Sequence, residues 1–241
     1  MKNENYKKQN GDKITSGLIR QDNLAMRTLH FVREQLPLWR DDPERTLEVS
    51  ETRLNSQLCD FLDSHANRFF PMVHFKHEER QTGRSSVDLS AKLVQGMALR
   101  AKQYTIYDSV LVFECKRLPA PSSDREMEYV TGGKNHRSGG IQRFKLGVHG
   151  AELNMAVMIG YVQAQSARDW YNKINAWISE LCNGTIEDEC IWNDGETLEQ
   201  LDEDEAMGFS NYRSVHSRAD NTSNNRILIH HLWIEMNPHQ I

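Results

Sequence analysis

The sequence predicts an α/β fold in which a mixed β-sheet is flanked by helices. Segments with apolar residues at helical spacing alternate along the chain with segments that have the two-residue period of strands. Residues 110–115 are apolar on both faces, which is typical of a central strand covered by helices on both sides. The length of 241 residues fits one large domain with decorations.

In the N-terminal half, the pattern predicts a polar tail, two helices and two strands that form a hairpin. In chain order these elements cover residues 1–20, 23–39, 51–65, 73–80 and 86–93. Ser50 precedes the second helix and can cap it, and Thr82 and Gly83 mark the turn of the hairpin. We therefore assign residues 1–46 to an N-terminal tail with helical decoration and residues 47–241 to the main domain.

The C-terminal half begins with the apolar strand at residues 110–115. A loop, a short helix after Gly139 and Gly140, a strand, a helix and a final strand are predicted to follow. They cover residues 119–135, 141–146, 155–162, 169–181 and 227–234. Residues 185–225 are acidic and then rich in Ser and Asn, and they show little pattern. The predicted order is thus helix, three strands, helix, strand, helix and final strand.

Composition excludes several classes of protein. No apolar run approaches the roughly 20 residues of a membrane span, and the N-terminus lacks the apolar stretch of a signal peptide, so we expect a cytoplasmic protein without a membrane partner. The four cysteines form no CxxC pair, and we expect no disulfides. The net charge of −5 does not suit bulk coating of nucleic acid. However, residues 117–145 are basic while residues 187–205 are acidic, which predicts a nucleic-acid-facing side.

Three charged residues lie on predicted strands in a pattern that suits phosphodiester hydrolysis. Asp88 and Glu114 belong to consecutive strands, which usually neighbour one another. Lys116 lies two residues beyond Glu114, so it shares the same face about 6 to 7 Å further along. Carboxylate oxygens can hold Mg²⁺, which lowers the pKa of bound water, and a neighbouring amine can stabilise charge on phosphorus.

The residues that make this pattern are Val87-Asp88 and Phe113-Glu114-Cys115-Lys116, after a helix that begins with Glu51. The chain resembles the PD-(D/E)xK nuclease superfamily over roughly residues 51–236. Val87 stands where the family name has Pro. Further segments are similar to stand-alone restriction-like proteins of bacteria and their mobile elements, which are often associated with defence. These segments are residues 140–144, 158–162 and 214–218.

The resemblance implies a restriction-endonuclease-like three-layer sandwich and a Mg²⁺ site, in which Mn²⁺ can substitute. Its metal ligands map onto Asp88, Glu114, the Cys115 carbonyl and Glu51. Lys116 is the implied catalytic lysine, and Gln142 the implied active-site glutamine on the following helix. The implied substrate is DNA, and the choice of DNA over RNA depends on the resemblance alone.

Simpler structural interpretations stay open for several of these residues. Glu51 can meet the helix dipole without binding metal, Gln142 can be a surface residue, and Glu114 with Lys116 can form an ion pair at a strand end. The charged or polar side chains that we expect to contact nucleic acid are Arg117, Arg143, Lys145, His216 and Arg218.

Two other classes of function remain alternatives to an active nuclease. The first is a catalytically silent nucleic-acid-binding or assembly subunit with the same fold. The second is a docking module of a multi-component defence system. A homodimer or a partner subunit of such a system is an expected partner in addition to nucleic acid.

Overall fold

The computed structural model describes residues 21–81, 85–99, 102–220 and 222–236. The predicted tail at residues 1–20 and the predicted turn at Thr82 and Gly83 lie outside the described residues. The helices are α1 (Gln21–Arg40), α2 (Glu51–Phe69), α3 (Gly140–Lys145) and α4 (Ala167–Cys182), with a 3₁₀ helix at Ser123–Tyr129. The strands are β1 (Val73–Arg80), β2 (Ser86–Leu93), β3 (Met97–Leu99), β4 (Lys102–Tyr104), β5 (Ser109–Leu118), β6 (Met155–Val162), β7 (Glu199–Asp204), β8 (Phe209–Ser217) and β9 (Arg226–Glu235). None of the described helices is both long and apolar enough to cross a membrane.

Seven strands form the main sheet, in the order β1-β2-β5-β6-β9-β8-β7. The central strands β5, β6 and β9 are parallel, whereas the outer neighbours pair antiparallel. Strands β3 and β4 form a separate two-stranded ribbon. The mixed sheet and the hairpin of β1 and β2 confirm the prediction from the sequence.

Helices cover both faces of the sheet and give a three-layer α/β sandwich, as predicted. On one face, α1 and α2 bury Val32 and Leu58 against Phe113 of β5. On the other face, the core contains Phe144 of α3 and Trp170 of α4. Helix α1 was expected to be a decoration, but Leu24, Val32 and Leu36 are fully buried in the main core. It therefore forms part of the first helical layer.

The largest difference from the prediction is the pair of strands β7 and β8, which lie where no pattern was found. In β8, polar Ser210, Ser214 and His216 are buried together with apolar residues, so the strand lacks the alternation that marks a half-exposed strand. Strand β7 is short and acidic, a composition that is depleted in strands. Ser50 does hold the N-cap position of α2, but its side chain makes no capping hydrogen bond.

The two edges of the main sheet, β1 and β7, have unusual features. Strand β7 has the sequence EQLDED and is almost fully exposed. Within β1, Glu78 has a φ of 51°, a left-handed conformation that non-glycine residues rarely adopt. Glu78 lies between the paired positions His77↔Leu89 and Glu79↔Val87, so it is next to Asp88 of β2.

Candidate active site

The candidate site lies where strands β2 and β5 stop pairing. Their ladder ends with the pair Leu89↔Phe113, and the next residues along the two strands are Asp88 and Glu114. The side-chain Oδ2 of Asp88 accepts a hydrogen bond of 2.7 Å from the backbone N–H of Cys115. The Asp88 carboxylate thus accepts from a backbone N–H that would bond to the neighbouring strand if the β2–β5 ladder continued. This contact explains why an acid is tolerated within the strand.

Glu114 and Lys116 project from the same face of β5, as the strand period predicts. The Nζ of Lys116 is 2.8 Å from Oε1 of Glu114, and the Glu114 side chain is only 1% exposed. The first residue of α2 also reaches this point. Oε1 of Glu51 is 3.7 Å from the Lys116 ammonium, and Oε2 of Glu51 accepts a 3.1 Å hydrogen bond from the backbone N–H of Arg117.

Two more side chains contact the buried carboxylate of Glu114. Arg143 of α3 donates from its guanidinium to Oε1 at 2.7 Å. Nδ1 of His149 is 3.1 Å from Oε2, but the two groups are not aligned for a hydrogen bond, and both atoms are buried without one. The other ring nitrogen of His149, Nε2, is 2.7 Å from Oγ of Ser85. Glu114 is thus the centre of a cluster that joins β2, β5, α2, α3 and the turn after α3.

The protonation states of the cluster follow from burial and from neighbouring charges. Burial and the Glu114 carboxylate raise the pKa of Asp88 from 3.8 to about 8. Burial also opposes ionisation of Glu114, but Lys116, His149 and Arg143 together hold its pKa well below the ordinary range. Burial lowers the pKa of Lys116, yet the carboxylates of Glu114, Glu51 and Asp88 outweigh this and raise it. At neutral pH, Glu114 and Lys116 are charged while Asp88 mostly holds a proton.

The oxygen atoms of the cluster can be compared with the ligands that Mg²⁺ usually takes. Within the described residues, no group of three or more His, Cys, Asp or Glu side chains is arranged to hold a metal ion, so a closed zinc-type cage is absent there. Mg²⁺ is usually held by one or two carboxylates, with water and substrate phosphate filling its other positions. Asp88 and Glu114 supply two neighbouring carboxylates, and Oε2 of Glu114 is a buried acceptor without a hydrogen bond.

Gln142 does not face this cluster, although the sequence predicted an active-site role for it. It is fully buried, and its amide bridges the loop before α3. Oε1 accepts from the backbone N–H groups of Gly132 and Gly139, and Nε2 donates to the carbonyl of Gly133 and to Asp188. All these contacts are internal, so the side chain shapes the loop and does not reach Glu114.

Three residues expected to contact nucleic acid are also buried. Lys145 is 2% exposed and donates to Glu196 at 2.5 Å, and His216 is fully buried between Glu196 and Ser214. The guanidinium of Arg218 donates to four backbone carbonyl oxygens that precede β6. These contacts are structural, which corrects the prediction of phosphate contacts for all three side chains. A cavity of about 310 Å³ opens beside Lys145 and Cys190, but neither Asp88 nor Glu114 lines it.

The predicted separation of a basic side from an acidic side is also wrong. The acidic segment folds onto the basic one, and ion pairs join Lys134 to Glu187 at 2.9 Å and Arg137 to Glu189 at 2.7 Å. These basic charges are neutralised locally. Among the predicted contacts, Arg143 is 26% exposed at the cluster, while Arg117 is partly buried and donates to Gln163 at 2.8 Å.

Sequence reasoning missed His149 and Ser85. His149 belongs to the turn after α3, where Gly147 and Gly150 have positive φ values of 67° and 57°. Only glycine adopts this conformation readily, and the two glycines let the chain turn back so that the imidazole lies beneath β5. A histidine between two closely spaced glycines was the available signal, but no spacing rule links it to a distant glutamate.

In comparisons with protein-family models, with curated proteins and with solved structures, no match to this chain was found.

Proposed function

We propose that this chain is a metal-dependent nuclease of the PD-(D/E)xK class that hydrolyses phosphodiester bonds, with DNA as the expected substrate. The main support is the convergence of Asp88, Glu114 and Lys116 at the point where β2 and β5 separate. The chain order of α2, three sheet strands, α3 and a parallel β6 also agrees with the core that the resemblance implies. Both features describe where the charged side chains lie on the fold.

In this proposal, Asp88, Glu114 and the Cys115 carbonyl hold Mg²⁺, and Glu51 is a further ligand from α2. An ion held there would supply an acidified water and would shield the charge that develops on phosphorus. Mn²⁺ can take the same oxygen ligands. Because the pKa of Asp88 is raised to about 8, this carboxyl would have to release its proton to serve as a ligand.

The cations of the cluster have a separate task. Lys116 and Arg143 both contact Oε1 of Glu114, so they would have to share or release this oxygen if Glu114 held a metal ion. Their N–H groups then become donors for a phosphate of the substrate. Arg143 can bind phosphate in a bidentate manner, and Lys116, only 12% exposed, places a fixed positive charge beside the reacting group.

A cleavage assay tests the proposal. We expect the purified chain to nick or cut plasmid DNA with Mg²⁺ or Mn²⁺ and not with EDTA. Lys116→Met should abolish cleavage while Mn²⁺ affinity stays within about tenfold, since the ammonium is not a ligand. Lys92→Met is the matched control, because Lys92 is also buried in an ion pair, with Glu79, outside the cluster. Metal-independent cleavage, or equal cleavage by both variants, contradicts the proposal.

A catalytically silent binding subunit remains the alternative, and the same assay separates it from an active nuclease. Serine-type hydrolysis is a second chemistry suggested by the order Ser85, His149, Glu114. The geometry disfavours it, because His149 is fully buried and its Nδ1 is misaligned with Glu114, whose charge is already shared by Lys116 and Arg143. Labelling of Ser85 by a fluorophosphonate probe would favour this chemistry over the nuclease.

A further inference from the structure

Ser85 and His149 form a polar connection to Glu114 that nothing in the proposed chemistry uses. His149 has no exposed surface, yet one of its ring nitrogens faces the partly buried hydroxyl of Ser85 and the other faces the buried Oε2 of Glu114. A buried polar side chain between two polar partners needs an explanation, because desolvating an imidazole opposes folding.

The two ends of this connection belong to different parts of the fold. Ser85 directly precedes β2, the strand of Asp88, whereas Glu114 lies on β5. A second contact joins the turn of His149 to the end of the β1–β2 hairpin, since the backbone N–H of Gly150 donates to Oε1 of Gln81 at 3.1 Å. The turn that contains His149 is therefore held against the end of the hairpin at two adjacent points, beside the place where β2 and β5 separate.

The charge state of Glu114 determines how the imidazole is oriented. Two cations contact the Glu114 carboxylate, which therefore serves as an acceptor, so we assign the proton of His149 to Nδ1, while Nε2 accepts from the Ser85 hydroxyl. The two cations contact Oε1, while His149 faces Oε2. His149 thus lies against the carboxylate oxygen that Lys116 and Arg143 do not contact.

We propose that His149 is a positioning residue that orients the Glu114 carboxylate for metal binding, and that Ser85 fixes the imidazole in the required tautomer. This inference rests on the proposed function, because orientation of Glu114 matters only if the carboxylate is a ligand. Ligating carboxylates are commonly hydrogen-bonded by an outer group, and loss of such a group weakens metal binding or activity by about 10- to 100-fold.

The test compares single and double variants by Mn²⁺ calorimetry and by cleavage kinetics. His149→Ala should weaken Mn²⁺ binding by about 10- to 100-fold. Ser85→Ala should weaken it by about 3- to 10-fold, the effect of one hydrogen bond. In His149→Asn, the side-chain amide keeps an N–H donor on the Glu114 side, so most of the affinity should return. The double variant of Ser85 and His149 to Ala should bind no more weakly than His149→Ala, since Ser85 acts through His149.

Ser90→Ala is the matched control for Ser85→Ala. Ser90 lies on β2, the strand that Ser85 precedes. It is fully buried and its hydroxyl makes no hydrogen bond, so its removal should leave Mn²⁺ affinity unchanged. Equal affinities for the Ser85 and Ser90 variants overturn the inference, as do independent losses from Ser85 and His149.

A metal-free measurement separates failure of the inference from failure of the proposed function. Long-range ¹H–¹⁵N spectra of histidine-labelled protein should show His149 with its proton on Nδ1, and Ser85→Ala should change the Nε2 shift. A wild type that binds no Mn²⁺ refutes the nuclease, whereas a proton on Nε2 refutes the orientation of His149 whatever the chain does to DNA.

Discussion

Replacing Asp88 by Asn should stabilise the metal-free protein at neutral pH, and the gain should depend on pH. The pKa of Asp88 is raised from 3.8 to about 8, so the folded state holds this proton more tightly than the unfolded chain. The stability that this proton contributes is complete below pH 3.8 and is lost as the pH rises toward 8. At pH 7 the loss is about 4 kcal/mol, because the pH is 3.2 units above the unfolded-state pKa of 3.8 and each unit corresponds to about 1.36 kcal/mol.

Asn is neutral at every pH and keeps an oxygen that can accept from the Cys115 N–H. The difference in unfolding free energy between Asp88→Asn and wild type should therefore be about 1 kcal/mol at pH 4.5 and about 4 kcal/mol at pH 7. Urea unfolding with EDTA at several pH values measures it. Asp63→Asn is the control, because Asp63 accepts a similar 2.8 Å hydrogen bond from the Phe75 N–H outside the cluster. A difference that does not rise with pH, or a destabilised Asp88 variant at pH 7, refutes the reasoning.

The same variant separates metal binding from structure. Mg²⁺ or Mn²⁺ at 100 times its dissociation constant should stabilise the wild type by about 2.7 kcal/mol and should barely affect Asp88→Asn. Because the ion displaces a proton from Asp88, wild-type affinity should rise up to about tenfold per pH unit below pH 8. A variant that still gains stability from metal removes Asp88 from the ligand set.

Three further predictions concern stability. His230 has two buried ring nitrogens without hydrogen bonds, and burial lowers its pKa to about 4, so the free energy of unfolding should fall by about 3 kcal/mol as the pH drops from 6.5 to 4. His230→Leu should remove this loss in urea unfolding, and an equal loss in the variant contradicts the assignment. Glu78→Gly should raise stability by roughly 0.5–1 kcal/mol because it relieves a positive φ, and a lowered thermal midpoint refutes this. Glu196→Gln should lower the free energy of unfolding by about 3 kcal/mol, because it leaves the Lys145 ammonium buried without its anion. Adding Lys145→Met to the same chain should recover much of that loss in chemical denaturation.

The sequence predicts the central part of the fold well, because the relevant strands have simple patterns. The apolar run at residues 110–115 and the alternation at residues 86–93 identify β5 and β2 without ambiguity. Strand β8 could not be found in this way. Its buried Ser214 bonds to His216 and His231 at 2.7 and 2.8 Å, and a strand whose polar residues are satisfied by tertiary partners has no period to detect.

In the candidate site, too, strand patterns predict some residues, whereas the roles of others depend on tertiary partners. Asp88, Glu114 and Lys116 could be found because the strand period and the adjacency of consecutive strands place them on one surface. The roles of Lys145 and Arg218 could not, since a cation in the sequence has the same appearance whether it faces solvent or a buried partner. Only the fold shows that Glu196 and the carbonyl oxygens before β6 already satisfy these charges.

The edges of the main sheet limit how copies of this chain can associate. An edge strand joins another sheet when it is long, flat and free of repulsive charge. Strand β7 presents four carboxylates within six residues. Arg213 and Arg33 pair with Glu199 and Asp202, and the charges of Glu203 and Asp204 still oppose side-by-side pairing of two such strands. Strand β1 is bent out of a flat ladder at Glu78. Charge at β7 and the irregular backbone of β1 thus oppose extension of the sheet into a second copy of the chain. A homodimer is therefore expected to use helix or loop surfaces.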